Sequence, residues 1–233
     1  MKTTFQRCFL VNFAVEPDAM RAKIPCHLQP ELYEGRAYLS IVIAKMLRMR
    51  PAFIPPVFGI TYTQVVYRVV VRCGVERGVY FLRSDADSRL MVAAGNALTF
   101  FKFNFATVRW EVSEHTVAFS LGSQSEASGC IAANFDVGSA RMQLPTSSRF
   151  PDLNYAEAFL TNLYTAFGQK RSNGRVEAVR ISRSPWRSRV VTDRTGIYDA
   201  MTSGALFCKD QVQLDCIFQV EDLAYYWNPL KLE

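Results

Sequence analysis

Residues 60–73, ITYTQVVYRVVVRC, constrain the fold more than any other segment of this chain. The segment is rich in Val, Ile, Thr and Tyr, which are enriched in β-strands. Side chains of a strand alternate between two faces, so Gln64, Arg68 and Arg72 share one face. Residues 74–78, GVERG, then indicate a hairpin turn into a returning strand at 79–86. The chain must therefore fold around long paired strands.

Further apolar or alternating segments predict most of the remaining structure as strands. They lie at residues 7–15, 36–47, 103–112, 116–122 and 129–138, with several shorter ones between 176 and 227, among them GALFCK at 204–209. Residues 51–56 hold three prolines and are expected to be irregular. We expect roughly ten strands in all.

Three segments predict helices. Residues 17–25 form a short one that opens at Pro17, and Asp87 or Ser88 caps a second, whose apolar positions continue to residue 101. Residues 153–168 have the strongest helical spacing, with Asn154 as the expected cap and Gly168 as the expected end.

Strands without βαβ alternation favour a mainly β (α+β) domain, either an antiparallel or mixed β-barrel or a sandwich, with helices packed outside. No linker or internal repeat divides the 233 residues, so we expect a single domain over 1–233. About half of the composition is hydrophobic, which suffices for a full core.

Several features point to a cytoplasmic protein with no membrane partner. The longest apolar runs are less than half of the roughly 20 residues that a spanning helix needs. The first residues lack a cleavage-site pattern, and Arg7 interrupts their apolar run. The six cysteines are scattered without a C-x-x-C motif, and we interpret them as reduced core thiols.

The formal charge of +6 is concentrated in residues 170–194. This basic stretch contains Trp186, and an interaction surface for nucleic acid or an acidic partner is one interpretation. A solvated hairpin face with arginines paired to acids elsewhere is the other. No helix-turn-helix, zinc-finger or RNP pattern accompanies the charge, which argues against nucleic acid as the partner.

Standard catalytic motifs do not occur in the sequence. Two distant histidines and no clustered cysteines argue against a metal site. There is no G-x-S-x-G, P-loop or G-x-G-x-x-G, and we expect no cofactor.

One lysine stands among four phenylalanines in TFFKFNFAT, residues 99–107. Lys102 and Asn104 share a face of the predicted strand. If this face lines the interior of a barrel, the amine is desolvated, and a neutral amine forms Schiff bases with carbonyl compounds. If it is the outer face, Lys102 is a solubilising lysine.

RSDADSR, residues 83–89, is the densest polar cluster between two apolar segments. Arg83, Asp85, Asp87 and Arg89 form either a capping and ion-pair network or a carboxylate-recognising arginine with an orienting aspartate.

The order of these segments resembles the YqjF-like family of uncharacterised bacterial proteins, within the acetoacetate decarboxylase-like superfamily. Residues 9–46 resemble its opening, 62–71 its F-x-E-x-N-V-R-T-Y-V strand, 78–108 its G-V-Y-F-F-S-L-D-A strand with the following helix and strand, and 182–191 its late P-W strand. The resemblance implies a single-domain β-barrel with flanking helices and a central apolar cavity.

The resemblance also implies where catalytic residues would lie. True acetoacetate decarboxylases have adjacent lysines after the helix, and here Phe103 and Asn104 match those positions. Lys102 falls one residue early, and Gln64 replaces the cavity glutamate. Arg68 matches the arginine of the family's strand. The barrel is retained while the catalytic set is altered.

The sequence thus favours a protein that binds a small apolar organic acid or carbonyl compound as its partner. A decarboxylase-like lyase that uses Lys102 is the first alternative, and an interaction protein that uses residues 170–194 is the second. A homo-oligomer is compatible with each. The candidate ligand-binding residues are Gln64, Arg68, Arg83, Asp85, Arg89, Asn104 and Trp186.

Overall fold

The computed structural model describes residues 1–123, 130–170, 173–199 and 206–229. In chain order, its strands are β1 (Lys2–Val15), β2 (Gln29–Pro30), β3 (Leu32–Tyr33), β4 (Arg36–Arg50), β5 (Ile60–Cys73), β6 (Glu76–Ala86), β7 (Phe103–Val112), β8 (Thr116–Ser123), β9 (Ile131–Arg141), β10 (Thr165–Gln169), β11 (Val176–Arg183), β12 (Arg189–Asp193) and β13 (Val212–Pro229). The helices are α1 (Pro17–Arg21), α2 (Arg89–Leu98) and α3 (Leu153–Leu160), with short 3-10 turns at Pro56–Phe58 and Lys209–Gln211.

All described strands belong to one sheet that closes twice on itself. Five long strands, in the order β13-β1-β4-β5-β6, are shared by both closures. On one side, β7, β8, β9 and β12 lead from β6 back to β13 and complete a nine-strand ring. On the other side, β10 and β11 lead from β6 back to β13 and complete a seven-strand ring. The mainly β architecture predicted from the sequence is confirmed.

The alternation of the shared strands divides their side chains between two apolar cores. On β5, Val65, Tyr67 and Val69 belong to the core of the nine-strand ring, whereas Val66 and Val70 belong to that of the seven-strand ring. Gln64 and Arg68 are in phase with Val66 and so face the seven-strand ring. The resemblance led us to expect a central apolar cavity. Both ring interiors are instead occupied by buried side chains among the described residues.

The strongest predicted helix is shorter than expected. We predicted residues 153–168 with Asn154 as its cap, but α3 ends at Leu160, and Asp152 is the cap that accepts a hydrogen bond from the Tyr155 amide. The second half of the segment forms β10, which pairs with β6 and β11. Residues 165–168 are all buried in this sheet, so tertiary pairing overrides the helical spacing.

The α2 region confirms one prediction and corrects another. The Ser88 hydroxyl caps α2 by accepting from the Met91 amide, as expected. However, β6 and β7 on either side of α2 are parallel. They form one βαβ unit, although the sequence pattern showed no such alternation.

Smaller corrections concern a strand and the cysteines. The predicted strand 204–209 lies partly outside the described residues, and its described part, 206–209, is not a strand. Cys8 and Cys216 lie in the core, but Cys26, Cys130 and Cys208 are exposed rather than core thiols. Within the described residues, no helix has the length and apolar character that a membrane crossing needs.

Candidate functional site

The interior of the seven-strand ring holds a buried arginine. Arg68 extends from the middle of β5 and is only 7% exposed. One of its terminal nitrogens, Nη2, donates to the backbone carbonyl of Leu160, at 2.9 Å. Its Nε is buried and has no hydrogen-bond partner. Burying an N–H donor without an acceptor costs about 1–3 kcal/mol, so this geometry is open to an acceptor.

Within the described part of the chain, no carboxylate lies within ion-pair distance of Arg68. Its electrostatic neighbours are Tyr225, Cys8 and a second arginine, Arg183. Burial lowers the pKa of Arg68 to about 10, so it remains protonated at neutral pH. Burial raises the pKa of Cys8 and of Tyr225 to about 12, and neither neighbour carries a compensating negative charge.

Aromatic rings line the interior next to this charge. Phe81 is the direct cross-strand neighbour of Arg68, and it packs against Phe101 with 4.6 Å between ring centroids. Trp227 contacts both phenylalanines, at 6.0 and 5.7 Å, and Tyr225 at 5.2 Å. Phe101 is supplied by the short segment between α2 and β7 rather than by a ring strand. The arginine thus lies at one side of an apolar, aromatic interior.

The second arginine, Arg183 on β11, lies against two aromatic rings. Its guanidinium carbon is 5.0 Å from the Tyr164 ring centroid and 5.2 Å from that of Trp186. It also donates to the Thr161 carbonyl. Trp186 was predicted as a ligand-binding residue, and its position brings it to Arg183. Its indole Nε1 is buried without a hydrogen-bond partner.

The predicted residue Gln64 lies in the same core, nearer the start of β5. Its side-chain carbonyl accepts a hydrogen bond of 3.0 Å from the Tyr62 hydroxyl, and both residues are buried. Among the described residues, the buried side-chain nitrogens without a hydrogen-bond partner around the seven-strand ring include Arg68 Nε, Trp186 Nε1 and Trp227 Nε1, and all three carry N–H donors. A ring with a positive charge and surplus donors suits a ligand that offers acceptors, such as a carboxylate.

A different polar cluster faces the nine-strand ring. Asp85 is fully buried and accepts from Arg83 Nε at 2.7 Å and from Asn104 Nδ2 at 3.3 Å. The Arg83 guanidinium also lies 5.4 Å from the Tyr67 ring centroid. Burial raises the pKa of Asp85, and the hydrogen bonds from Arg83 and Asn104 oppose this rise. The structure thus joins three predicted residues, Arg83, Asp85 and Asn104, in one network away from Arg68.

The remaining predicted residues lie at the surface. Lys102 is exposed, and its backbone carbonyl accepts from the Ser84 amide. Arg89 is exposed and stacks on Phe105, 4.5 Å from the ring centroid. Phe103 and Asn104, which match the paired-lysine positions, point to opposite sides of β7. Phe103 packs against Gly95 of α2, and Asn104 reaches Asp85.

Much of the basic stretch 170–194 is engaged within the protein. Lys170 pairs with Glu177 at 3.2 Å, Arg180 with Glu76 at 3.7 Å, and Arg194 with Asp136 at 2.5 Å. Arg183 is engaged at α3 as described. These contacts are those expected for a hairpin face whose arginines are paired with acids.

Sequence reasoning missed several members of the Arg68 environment: Cys8, Phe101, Arg183, Tyr225 and Trp227. They come from four separate segments that only the closed ring brings together. The aromatic stretches 99–105 and 225–227 were a signal of an aromatic-lined interior, but not of its position. Two open surface depressions, of about 240 and 370 Å³, contain none of the predicted site residues.

The chain matches a known family and a known protein by sequence. The family model DUF2071, described as "Uncharacterized conserved protein (COG2071)", matches residues 2–220. The uncharacterised protein YqjF of Bacillus subtilis (strain 168) is 22% identical over 171 residues, which cover 73% of this chain and 69% of YqjF.

Solved structures show the same fold. Acetoacetate decarboxylase from Legionella pneumophila superposes with a TM-score of 0.59 at 16% identity, covering 99% of this chain and 86% of the decarboxylase. The enduracididine biosynthesis enzyme MppR, solved in complex with pyruvate, superposes with a TM-score of 0.56 at 13% identity, covering 99% and 91%. At these identities the likeness shows an acetoacetate decarboxylase-like fold, as the sequence resemblance implied.

Proposed function

We propose that this chain, which belongs to the DUF2071 family, binds a small apolar organic acid, with the acid's carboxylate on Arg68 inside the seven-strand ring. The observation that carries the proposal is the buried Arg68 guanidinium, which has an unpartnered Nε and no carboxylate at ion-pair distance in the described residues. A ligand carboxylate would supply the missing charge and the missing acceptor.

The buried charge of Arg68 is poorly compensated within the described residues. Removing a charged side chain from water costs several kcal/mol unless a partner of opposite charge compensates. Leu160 offers Arg68 only a neutral carbonyl, and the nearby Arg183 adds positive charge. Charge-assisted hydrogen bonds between guanidinium and carboxylate are roughly twice as strong as neutral ones. A bound organic acid therefore stabilises this interior more than a neutral compound of equal size.

The apolar part of the ligand would take the place of Phe101. This ring is 6% exposed, packs against Phe81 at a tilt of 31°, and belongs to a connecting segment rather than to a strand of the ring. In this proposal the Phe101 side chain occupies the ligand volume in the free protein. It leaves when an apolar acid enters, and the ligand then contacts Phe81, Tyr225 and Trp227.

Two features favour non-covalent binding over Schiff-base chemistry. Phe103 and Asn104 stand at the positions that match paired lysines, and Lys102 is exposed rather than desolvated. The solved relatives support the ligand class, since the name of one and the pyruvate complex of the other specify small keto acids. The decarboxylase-like alternative requires Lys102 to form a covalent adduct with the carbonyl group of the substrate.

Titration calorimetry tests the proposal. Hexanoate, phenylacetate and acetoacetate would be compared with 1-hexanol and 2-phenylethanol on the wild type, Arg68→Met and Arg77→Met. Arg77 is the control because it also donates to α3 carbonyls but is 27% exposed and already pairs with Glu31. We expect the acids to bind at least tenfold more tightly than the alcohols to the wild type and to Arg77→Met, and this preference to vanish in Arg68→Met. Equal binding of acids and alcohols by the wild type would refute the proposal.

Borohydride trapping separates binding from the lyase alternative. With acetoacetate and borohydride, non-covalent binding predicts no stoichiometric mass increase of the intact protein. A stoichiometric adduct that maps to Lys102 and disappears in Lys102→Ala would establish the lyase instead.

A further inference from the structure

The loop between β4 and β5 exposes an unusual group of large apolar side chains. Phe53 is 85% exposed, Val57 79% and Phe58 73%. They lie within residues 51–58, which we call the apolar tip, together with exposed Pro55 and Pro56. Single exposed apolar residues are ordinary, but a contiguous group marks an interaction site.

Hydrogen bonds hold the apolar tip in a defined conformation, so its exposed side chains form an ordered surface. Arg50 donates through Nε to the Ile54 carbonyl at 3.0 Å and through Nη1 to the Arg48 carbonyl at 2.8 Å. The amides of Ile54 and Phe58 donate to the carbonyls of Pro51 and Pro55. The prolines fix the backbone further. The loop therefore holds its aromatic side chains outward.

The surroundings of the apolar tip are positively charged. The sequence has no acidic residue between Glu34 and Glu76. Arg48 and Arg50 directly precede the tip, and Lys2 is the strand partner of Arg50. The acids on neighbouring elements include Glu221, which is paired with Arg7, Asp87, whose carboxylate accepts from the Thr63 amide, and Asp222. An apolar protrusion with basic residues at its root complements an anionic surface that has an apolar interior.

We propose that the apolar tip docks this protein on an anionic lipid surface, with Phe53, Val57 and Phe58 inserted among the lipids and Arg48, Arg50 and Lys2 at the headgroups. Amphipathic elements of this kind enter about 5–10 Å into the headgroup boundary. Each basic residue near an anionic surface adds electrostatic attraction to the insertion of the apolar side chains. This contact is peripheral and needs no spanning segment.

A second copy of this chain fits the same surface poorly. A stable interface needs about 800 Å² from each partner, contributed by 20–30 residues, whereas the protrusion is one short loop. Two copies that met tip to tip would also bring the same three cations together, which is electrostatically unfavourable. The lipid surface is thus the occupant that the charges favour.

Vesicle co-sedimentation tests this proposal. The intact chain would be mixed with phosphatidylcholine vesicles that contain or lack 50% phosphatidylglycerol, and the wild type compared with the Phe53→Ser/Phe58→Ser double variant. Val75→Ser is the matched control, because Val75 is 96% exposed in the hairpin turn at the other end of β5. Arg48→Glu is compared with the control Arg109→Glu, which makes the same charge reversal at an exposed position of β7.

We expect the wild type to sediment with the anionic vesicles, the double variant and Arg48→Glu to lose at least tenfold in partitioning, and both controls to behave as the wild type. Because the changed side chains are exposed, their unfolding temperatures should match the wild type. Absence of sedimentation with anionic vesicles, or an unaffected double variant, would overturn the proposal. So would a wild-type oligomer that the double variant converts to monomer by light scattering, since the tip would then be a protein interface.

Discussion

Arg68 Nη2 donates to the backbone carbonyl of Leu160 over 2.9 Å and so ties the centre of β5 to the last residue of α3. Arg77 and Arg183 act in the same way on neighbouring residues. Together the three arginines engage four consecutive carbonyls: Ala158, Phe159, Leu160 and Thr161. The last carbonyls of a helix lack partners within the helix and carry its negative dipole end, so arginines stabilise them.

This arrangement explains why the sequence misled us about α3. The spacing of apolar residues favours a helix through residue 168. A sequence pattern contains only such local information. The helix ends where arginines from β5, β6 and β11 donate hydrogen bonds to its carbonyls. Those arginines are about 20 to 90 residues away in sequence. A short sequence window around residue 160 therefore does not predict the end of the helix.

Phe101→Ala should weaken folding and strengthen binding. Truncating a buried phenylalanine costs about 3–5 kcal/mol, and the space it leaves adjoins Phe81, the cross-strand neighbour of Arg68. We expect hexanoate to bind this variant more tightly than the wild type and to raise its unfolding temperature more. Phe119→Ala, the same truncation in the core of the nine-strand ring, should lose stability without any gain in affinity. Equal affinities for hexanoate in all three proteins would contradict the assignment of Phe101 to the ligand volume.

Asp152→Ala should destabilise the protein by about 1 kcal/mol, the usual value of an N-cap. The Asp152 carboxylate accepts from the Tyr155 amide at 2.8 Å. Asn154→Ala, at the exposed position that the sequence indicated as the cap, should change the free energy of unfolding little. Urea denaturation of the two variants measures the difference, and a larger loss for Asn154→Ala would contradict the observed helix start.

Asp85 and Asp136 should respond to pH in opposite senses. Burial raises the pKa of Asp85 above its ordinary 3.8, so the folded protein binds this proton more tightly than the unfolded chain. Relative to Asp85→Asn, the wild type should therefore lose stability as pH rises from about 4. The hydrogen bond from Arg194 lowers the pKa of Asp136. Relative to Asp136→Asn, the wild type should lose stability as pH falls below about 4. Urea denaturation between pH 3 and 7 measures both, and parallel curves for the Asp85 pair would contradict its burial.

The cysteines should divide sharply by reactivity. The thiolate is the reactive form, and burial raises the pKa of Cys8 to about 12 and that of Cys216 well above its usual range. At pH 8 a thiol with a pKa of 12 is ionised in roughly one molecule in 10⁴. Alkylation followed by peptide mapping should label exposed Cys26 and Cys208 rapidly and the two buried thiols only on unfolding. Rapid native labelling of Cys8 would contradict the closed ring.

The fold was more accessible to sequence reasoning than the site. The alternation in residues 60–73 identified which face of β5 carries Gln64 and Arg68, because a period of two is a local property. It did not reveal that this face closes around Phe81, Tyr225 and Trp227, because that depends on the pairing of β6 and β13 across the ring. Likewise, Arg83, Asp85 and Asn104 do meet, but on the other side of the sheet from Arg68. The register between β6 and β7 determines which side these residues occupy, and the sequence pattern does not contain it.

The central claim is that Arg68 Nε–H receives a ligand carboxylate, and arginine Nε–H resonances in ¹H–¹⁵N spectra test it most directly. The Arg68 signal is identified as the one missing from Arg68→Met. We predict that hexanoate moves it downfield with saturation, that 1-hexanol does not, and that the Arg77 signal stays in place. An Arg68 signal unchanged at hexanoate concentrations that saturate binding would contradict the account, because the acid would then bind elsewhere.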